Sequence, residues 1–258
     1  MVIDMHQHLW LDSYQEDKKE LLCAMEHFGI TRSYVSGLGS HQPDEAEILF
    51  LNQQVADFMH EHPREIGGAV YVNPLHQNAI SIVRRGIEDT GMELVKLWIS
   101  CVCDSPAVFP VVEAAIDLDV PILLHAFQKA GGELDGESTG VHVANLARRY
   151  PEAKLIMAHL GGNVYHGIPA IRSCKNVWTD ISGTIFRAGE IAYAVKNIGA
   201  DRILFGSDIM GCSYLLDLGQ VLEAPLTQEE REKILWKNAS RLFVRKNLTK
   251  EEVCHAAV

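Results

Sequence analysis

Eight times along this chain a short apolar run of strand character gives way to a segment of helical periodicity. The spacing predicts strands over 1–8, 33–36, 67–72, 94–99, 121–125, 154–159, 177–180 and 202–206. Apolar residues three and four apart predict helices over 16–28, 43–60, 79–87, 105–118, 141–150 and 188–197, with a short or broken helix containing Pro169 over 163–173. Punctuation agrees with the pattern: Gly29 closes the first helix, Asn73-Pro74 stops the third strand, and Pro106 opens the helix after the fourth. Beyond the eighth strand, Thr227 to Glu230 has the form of a capping box ahead of Ile234, Leu235 and Leu242. A strand that returns to its own sheet through a helix pairs in parallel, by a right-handed crossover. Eight such units in 258 residues point to a closed (β/α)8 TIM barrel, a single α/β domain over 1–258, since a barrel of this kind takes about 250 residues. An open doubly wound sheet is the competing arrangement. It would carry a glycine-rich phosphate fingerprint after its first strand, where Asp4-Met5-His6-Gln7-His8-Leu9 stands instead.

Composition limits the partners. Hydrophobic residues make up 47% of the chain, enough for a sizeable core. A formal net charge of -11 and a pI of about 5.5 argue against a nucleic-acid backbone as partner. No apolar run approaches the roughly 18–20 residues that span a bilayer, so no membrane partner is expected. Met1 leads straight into a strand holding an acidic residue, not into the basic and apolar regions of an export signal, which predicts a cytoplasmic protein. In that compartment the six scattered cysteines, Cys254 among them, read as reduced packing residues. Cys101-x-Cys103 lacks zinc-ribbon spacing.

The polar residues at strand ends carry the functional signal. Side chains at i and i+2 of a strand point the same way, about 6–7 Å apart, so His6 and His8 form a chelating pair. His125 ends the fifth strand, His159 the sixth, and Asp208 sits just past the eighth. All lie at carboxyl ends of strands, the face where barrels build active sites. A chance gathering of so many costly polar groups at one end is a poor alternative. Alternation places Asp4 on the face of His6 and His8, one step deeper, as a hydrogen-bond partner, and points Lys96 and Trp98 into the barrel. Most other histidines (His27, His60, His62, His76, His142, His255) read as solvated, while His41 and His166 follow strands and could reach the same face.

Taken in order, the motifs resemble those of the amidohydrolase superfamily of metal-dependent barrels. They are Ile3-Asp4-Met5-His6-Gln7-His8, Val70-Tyr71-Val72-Asn73-Pro74, Val95-Lys96-Leu97, Ile122-Leu123-Leu124-His125, Met157-Ala158-His159-Leu160-Gly161-Gly162 and Leu204-Phe205-Gly206-Ser207-Asp208, followed by the segment from Ile234 to Phe243. The pattern is most similar to the compact branch containing aminocarboxymuconate-semialdehyde decarboxylase, related aromatic-acid decarboxylases, and lactone or amide hydrolases. TatD-like nucleases carry a glutamate on strand four, where this chain has Lys96. The polymerase-and-histidinol-phosphatase type closes with Asp-x-His, and Asp208 is followed by Ile209-Met210.

The resemblance implies one divalent ion held by His6, His8, His125 and Asp208, with Zn2+ the first choice and Mn2+, Fe2+ or Co2+ the alternatives. Asp208 would also accept a proton from an activated water, and His159 would orient that water or polarise the substrate. In some superfamily members the strand-four lysine is carboxylated and bridges two metals. In the branch resembled here one metal is usual and Lys96 lines the pocket. Trp10, Trp98, Lys96 and Arg187 are the expected substrate-binding residues, Arg187 as a partner for a substrate carboxylate. The leading expectation is a metal-dependent hydrolase of a small carboxylated or cyclic amide, lactone or ester. The alternatives are a non-oxidative decarboxylase of a small aromatic or unsaturated acid at the same site, and a metal-binding barrel without turnover. The partner is then a small-molecule substrate, with homo-oligomerisation left open.

Overall fold

The computed structural model describes residues 1–183 and 187–243, so Cys254 and His255 lie outside the described residues. Eight parallel strands follow one another around a barrel: β1 (Ile3–Trp10), β2 (Arg32–Leu38), β3 (Ile66–Tyr71), β4 (Leu94–Leu97), β5 (Ile122–Leu124), β6 (Leu155–Met157), β7 (Val177–Asp180) and β8 (Ile203–Leu204). The seam closes by backbone hydrogen bonds from Met5 N to Phe205 O (3.0 Å) and from Asp208 N to His6 O (2.8 Å). This is the (β/α)8 TIM barrel that the eightfold alternation predicts. Seven helices link successive strands: α1 (Tyr14–Phe28), α2 (Glu45–Glu61), α3 (Ala79–Glu88), α4 (Phe109–Asp117), α5 (Gly140–Arg149), α6 (Val164–Ile171) and α7 (Glu190–Ile198). Then α8 (Tyr214–Glu223), α9 (Gln228–Glu232) and α10 (Asn238–Leu242) complete the described chain. Local signals act as expected. Gly29 ends α1 in the left-handed region (φ 68°), and Thr227 with Glu230 forms a reciprocal capping box at α9.

The core has two layers. One fills the barrel, with Met5, Tyr34, Leu94, Leu123, Ile156 and Leu204 turned inward, floored by Leu242 and by Phe243 stacked on Tyr34 at 4.1 Å. The other lies between strands and helices, where Val70, Val95, Leu124 and Leu155 meet residues such as Leu51, Val83 and Val143. Among the described residues no helix is long and apolar enough to cross a membrane, and the five described cysteines are unpaired.

Two differences from the sequence reading position the site. β1 runs on to Trp10, so His6 and His8 lie within the strand, whereas β5, β6 and β8 stop early and leave His125, His159 and Asp208 just beyond them. The second is a bulge. Asp4 pairs with Ser33 and Gln7 with Val35, so β1 carries one extra residue opposite Tyr34. The bulge reverses the alternation. Ile3 and Met5 face inward below it and His6 and His8 face inward above it, while Asp4 and Gln7 fall together on the helix side. The expectation that Asp4 shares the face of His6 and His8 is therefore overturned. Asp4 instead accepts hydrogen bonds from Ser207 N (3.1 Å), Ser207 Oγ (2.8 Å) and Gln7 Nε2, which also donates to Tyr214 on α8 (2.8 Å). It anchors the loop that presents Asp208.

Candidate active site

Each imidazole at the barrel mouth has one nitrogen tied down. His6 Nδ1 lies 3.0 Å from Asp180 Oδ2 and 3.1 Å from Ser182 Oγ, and His8 Nδ1 lies 2.8 Å from Ser36 Oγ. An ionised carboxylate only accepts, so the His6 ring proton belongs on Nδ1 and Nε2 is left as a lone pair. The Nε2 atoms of His6 and His8 sit 3.0 Å apart, and Asp208 Oδ1 lies 3.1 Å from His8 Nε2 and 3.7 Å from His6 Nε2. Lys96 Nζ reaches within 2.8 Å of His6 Nε2, fully buried as its inward register requires. Two imidazole nitrogens and a carboxylate oxygen converging on one point, beside the Lys96 ammonium, form a donor set suited to a cation. A divalent ion fits that donor set.

His125 and His159 complete the wall. His159 Nε2 lies 3.2 Å from His125 Nδ1, and its Nδ1 lies 3.0 Å from Ser182 Oγ. His125 Nε2 is 2.9 Å from Glu137 Oε1. Asp180 joins the two halves of the site. Its Oδ1 accepts from His159 N (3.0 Å), Ser182 N (3.0 Å) and Ser182 Oγ (2.6 Å), while Oδ2 holds His6. His159 (φ 62°) and Asp208 (φ 53°) both adopt left-handed backbone, a region that non-glycine residues occupy at a cost and that clusters at functional sites.

The electrostatics suit ligation. Burial lowers His6, His8 and His125 below the ordinary imidazole value and His159 to about 4, so all four rings are neutral at neutral pH, as metal ligands must be. Burial pushes Asp208 up, but His6, His8 and His159 beside it prevail and hold it ionised. Burial brings Lys96 down to about 8 against the pull of Asp208 and Asp180. Glu137 is pushed up by burial, yet hydrogen bonds from His125, Lys129 and the Leu134 N–H outweigh that and bring it to about 2.

Among the described residues, two groups of donor atoms each lie within 4.8 Å of one another: His6, His8 and Asp208, and His6, His159 and Asp180. The first is most of the expected ligand set; His125 is in neither group, and its Nδ1 lies 3.2 Å from His159 Nε2. Trp10 and Trp98 stand edge to face at 6.0 Å and form one wall, with the exposed His41 ring 4.9 Å from Trp98. Phe127, 5.4 Å from His159, forms another. Arg187 is not gathered in. It is exposed, pairs with Glu190 at 3.8 Å, and lines a cleft with Gln220 and Glu223 away from the imidazoles. His166 lies in α6 and is exposed. A surface cleft of about 670 Å³ lies at the opposite end of the barrel beside Arg32, Glu93 and Phe243, the face associated with stability.

Sequence reasoning missed Asp180, Ser182, Phe127 and Glu137. Asp180 was within reach, because it ends β7 as His125 and His159 follow β5 and β6. Glu137 gave no signal, being one acid among several in a glycine-rich loop.

Comparison with known proteins bears on the fold and the family. A gamma-resorcylate decarboxylase from Polaromonas sp. strain JS666 is 28% identical over 136 residues, a match spanning 42% of this chain and 41% of that protein. The crystal structure of 2,6-dihydroxybenzoate decarboxylase from Rhizobium superposes with a TM-score of 0.76 at 19% identity, covering 94% of this chain and 98% of that one. A dihydroxybenzoic acid decarboxylase from Polaromonas sp. JS666, with bound manganese and 2-nitroresorcinol, gives 0.75 at 19% identity over 94% and 96%. 5-Carboxyvanillate decarboxylase from Sphingomonas paucimobilis gives 0.76 at 14% identity over 94% and 98%. The amidohydrolase family model matches residues 3–245, from the first strand past the last described helix, and this chain belongs to that family.

Proposed function

We propose that this chain is a metal-dependent, non-oxidative decarboxylase of a small aromatic acid. The reading rests on the convergence of His6 Nε2, His8 Nε2 and Asp208 Oδ1 at a mouth walled by Trp10, Trp98 and Phe127. The hydrolase expectation gives way to the decarboxylase one because the relatives named above act on hydroxylated aromatic acids. His6, His8 and Asp208 would hold the ion, with His125 as fourth donor through Nδ1. The donor set suits Zn2+ and Mn2+, and manganese occupies the Polaromonas structure. When bound, such an ion supplies positive charge that stabilises electron density left on the substrate as CO2 departs.

The side chains do the rest. Trp10, Trp98 and Phe127 exclude water and orient a flat ring. Lys96, a cation buried among the imidazoles, would face the substrate's negative charge, a part for which Arg187, exposed and paired with Glu190, is not placed. Breaking the bond between ring carbon and carboxylate leaves an electron pair on that carbon, which must take up a proton. Asp208 and His159 border the same space, and one of them would carry a proton from the substrate's hydroxyl or from water to that carbon.

A panel of hydroxybenzoates, carboxylated phenols, lactones and amides, run with Mn2+- or Zn2+-loaded protein, tests the proposal. CO2 release matched by the decarboxylated arene, and lost in Asp208→Asn, is expected. Base consumption on a lactone or amide without CO2 would restore the hydrolase reading. Tight metal binding with no turnover on the whole panel would favour a non-catalytic barrel.

A further inference from the structure

We infer that Glu137 is a positioning residue that decides which nitrogen His125 offers to the ion and ties the loop between β5 and α5 to the metal centre. The inference rests on the reading that His125 is a ligand. Glu137 comes from no strand end, yet it is only 4% exposed. Oε1 lies 2.9 Å from His125 Nε2, while Oε2 takes Lys129 Nζ and the Leu134 N–H (2.8 Å). An ionised carboxylate accepts only, so it places the ring proton on Nε2 and leaves Nδ1 bare. Nδ1 is the nitrogen turned inward, 3.2 Å from His159 Nε2. His6 and His8 show the mirror arrangement, with Nδ1 tied to Asp180 and Ser36 and Nε2 facing the centre.

The loop is shaped to deliver this carboxylate. Gly136, at φ 78°, passes so close to Ile99 O that a Cβ there would stand 2.4 Å from it, and Glu137 follows directly. Residues 129, 134 and 137 close into one hydrogen-bonded turn whose inward contact is His125. Loop order and the His125 tautomer are thereby coupled.

The test is the dissociation constant for Zn2+ and for Mn2+, by chelator competition, on wild type, Glu137→Ala, Glu137→Gln, His125→Ala and the double variant Glu137→Ala/His125→Ala. Outer-shell partners of metal histidines contribute about 10–100-fold in affinity. Glu137→Ala should lose that much, and so should Glu137→Gln, because Lys129 and the Leu134 N–H hold the amide oxygen and leave its NH2 facing the His125 ring proton. The double variant should bind no more weakly than His125→Ala alone. Wild-type affinity in Glu137→Ala while His125→Ala is weakened, or losses that add in the double variant, would overturn the inference. Unchanged affinity in His125→Ala would overturn the underlying reading that His125 is a ligand. Should Glu137→Ala fail to fold, the 15N spectrum of Zn2+-loaded wild type decides: a proton on His125 Nε2 with Nδ1 coordinated is expected, and the reverse refutes it.

Discussion

His6 owes its bare Nε2 to Asp180, and replacing that partner tests the site one side chain at a time. Asp180→Asn should weaken metal binding by about 10–100-fold, because an amide presents a donor where the ring proton now goes. His6→Ala, His8→Ala and Asp208→Asn should each purify without stoichiometric metal. Full metal content by elemental analysis in any of them would remove that residue from the ligand set. Asp217 makes a separate prediction about stability. It is fully buried on α8, and among the described residues neither carboxyl oxygen has a hydrogen-bond partner beyond its own backbone. Burial, aided by Asp4, Asp180 and Asp208, raises it from 3.8 to about 9. A raised folded-state value means its contribution to stability is whole below pH 3.8 and is lost as pH climbs towards about 9. Asp217→Asn cannot ionise. It should exceed wild type by on the order of 1–3 kcal/mol at pH 8 and by little near pH 4, as read by urea denaturation. Parallel pH profiles for the two proteins would refute the burial argument.

At the scale of elements, the end of β8 shows how tightly the mouth is packed. A Cβ on Gly206 would stand 3.0 Å from both His6 Cβ and Asp180 Cβ. Gly206→Ala must push these two apart, at a cost of about 1–3 kcal/mol. A melting temperature lower by roughly 2–12 °C, with weaker metal binding, is expected. An unchanged melting temperature would mean the strands give way freely. Element existence was legible because periodicity, prolines and capping residues are local: the α9 capping box and Gly29 work as their sequence suggests. Strand ends were less legible, because neighbours' hydrogen bonds set them. The β1 bulge was not legible at all, since a period-two pattern assumes no inserted residue, and this misplaced Asp4.

The barrel as a whole supplies its own core, inside and outside the sheet, without recourse to an ion. Metal removal by chelation should leave the far-ultraviolet circular dichroism intact. Restoring Zn2+ or Mn2+ at about 100 times its dissociation constant should add about 2.7 kcal/mol, which raises the melting temperature by roughly 5–10 °C. No shift with either ion would count against a metal centre. The same topology explains why so much of the site could be read in advance. A parallel barrel brings the carboxyl end of every strand to one face, so the order His6, His8, His125, His159, Asp208 already described a cluster. Arg187 escaped that logic because it stands past its strand and pairs with Glu190 at the start of α7.

From the sequence alone came the alternation of elements, the barrel, the chemical types at the strand ends and the inward turn of Lys96. Each depends on residues near one another in the chain. Only the tertiary structure decided which nitrogen of each imidazole faces the centre, that Asp180 holds the His6 ring while Asp4 meets only its backbone N–H, that Glu137 reaches in to His125, and that Arg187 stands outside. Those are pairings across the fold, His6 with Asp180 across 174 positions among them. No local periodicity encodes a partner that distant, and it becomes a neighbour only once the last strands close against the first.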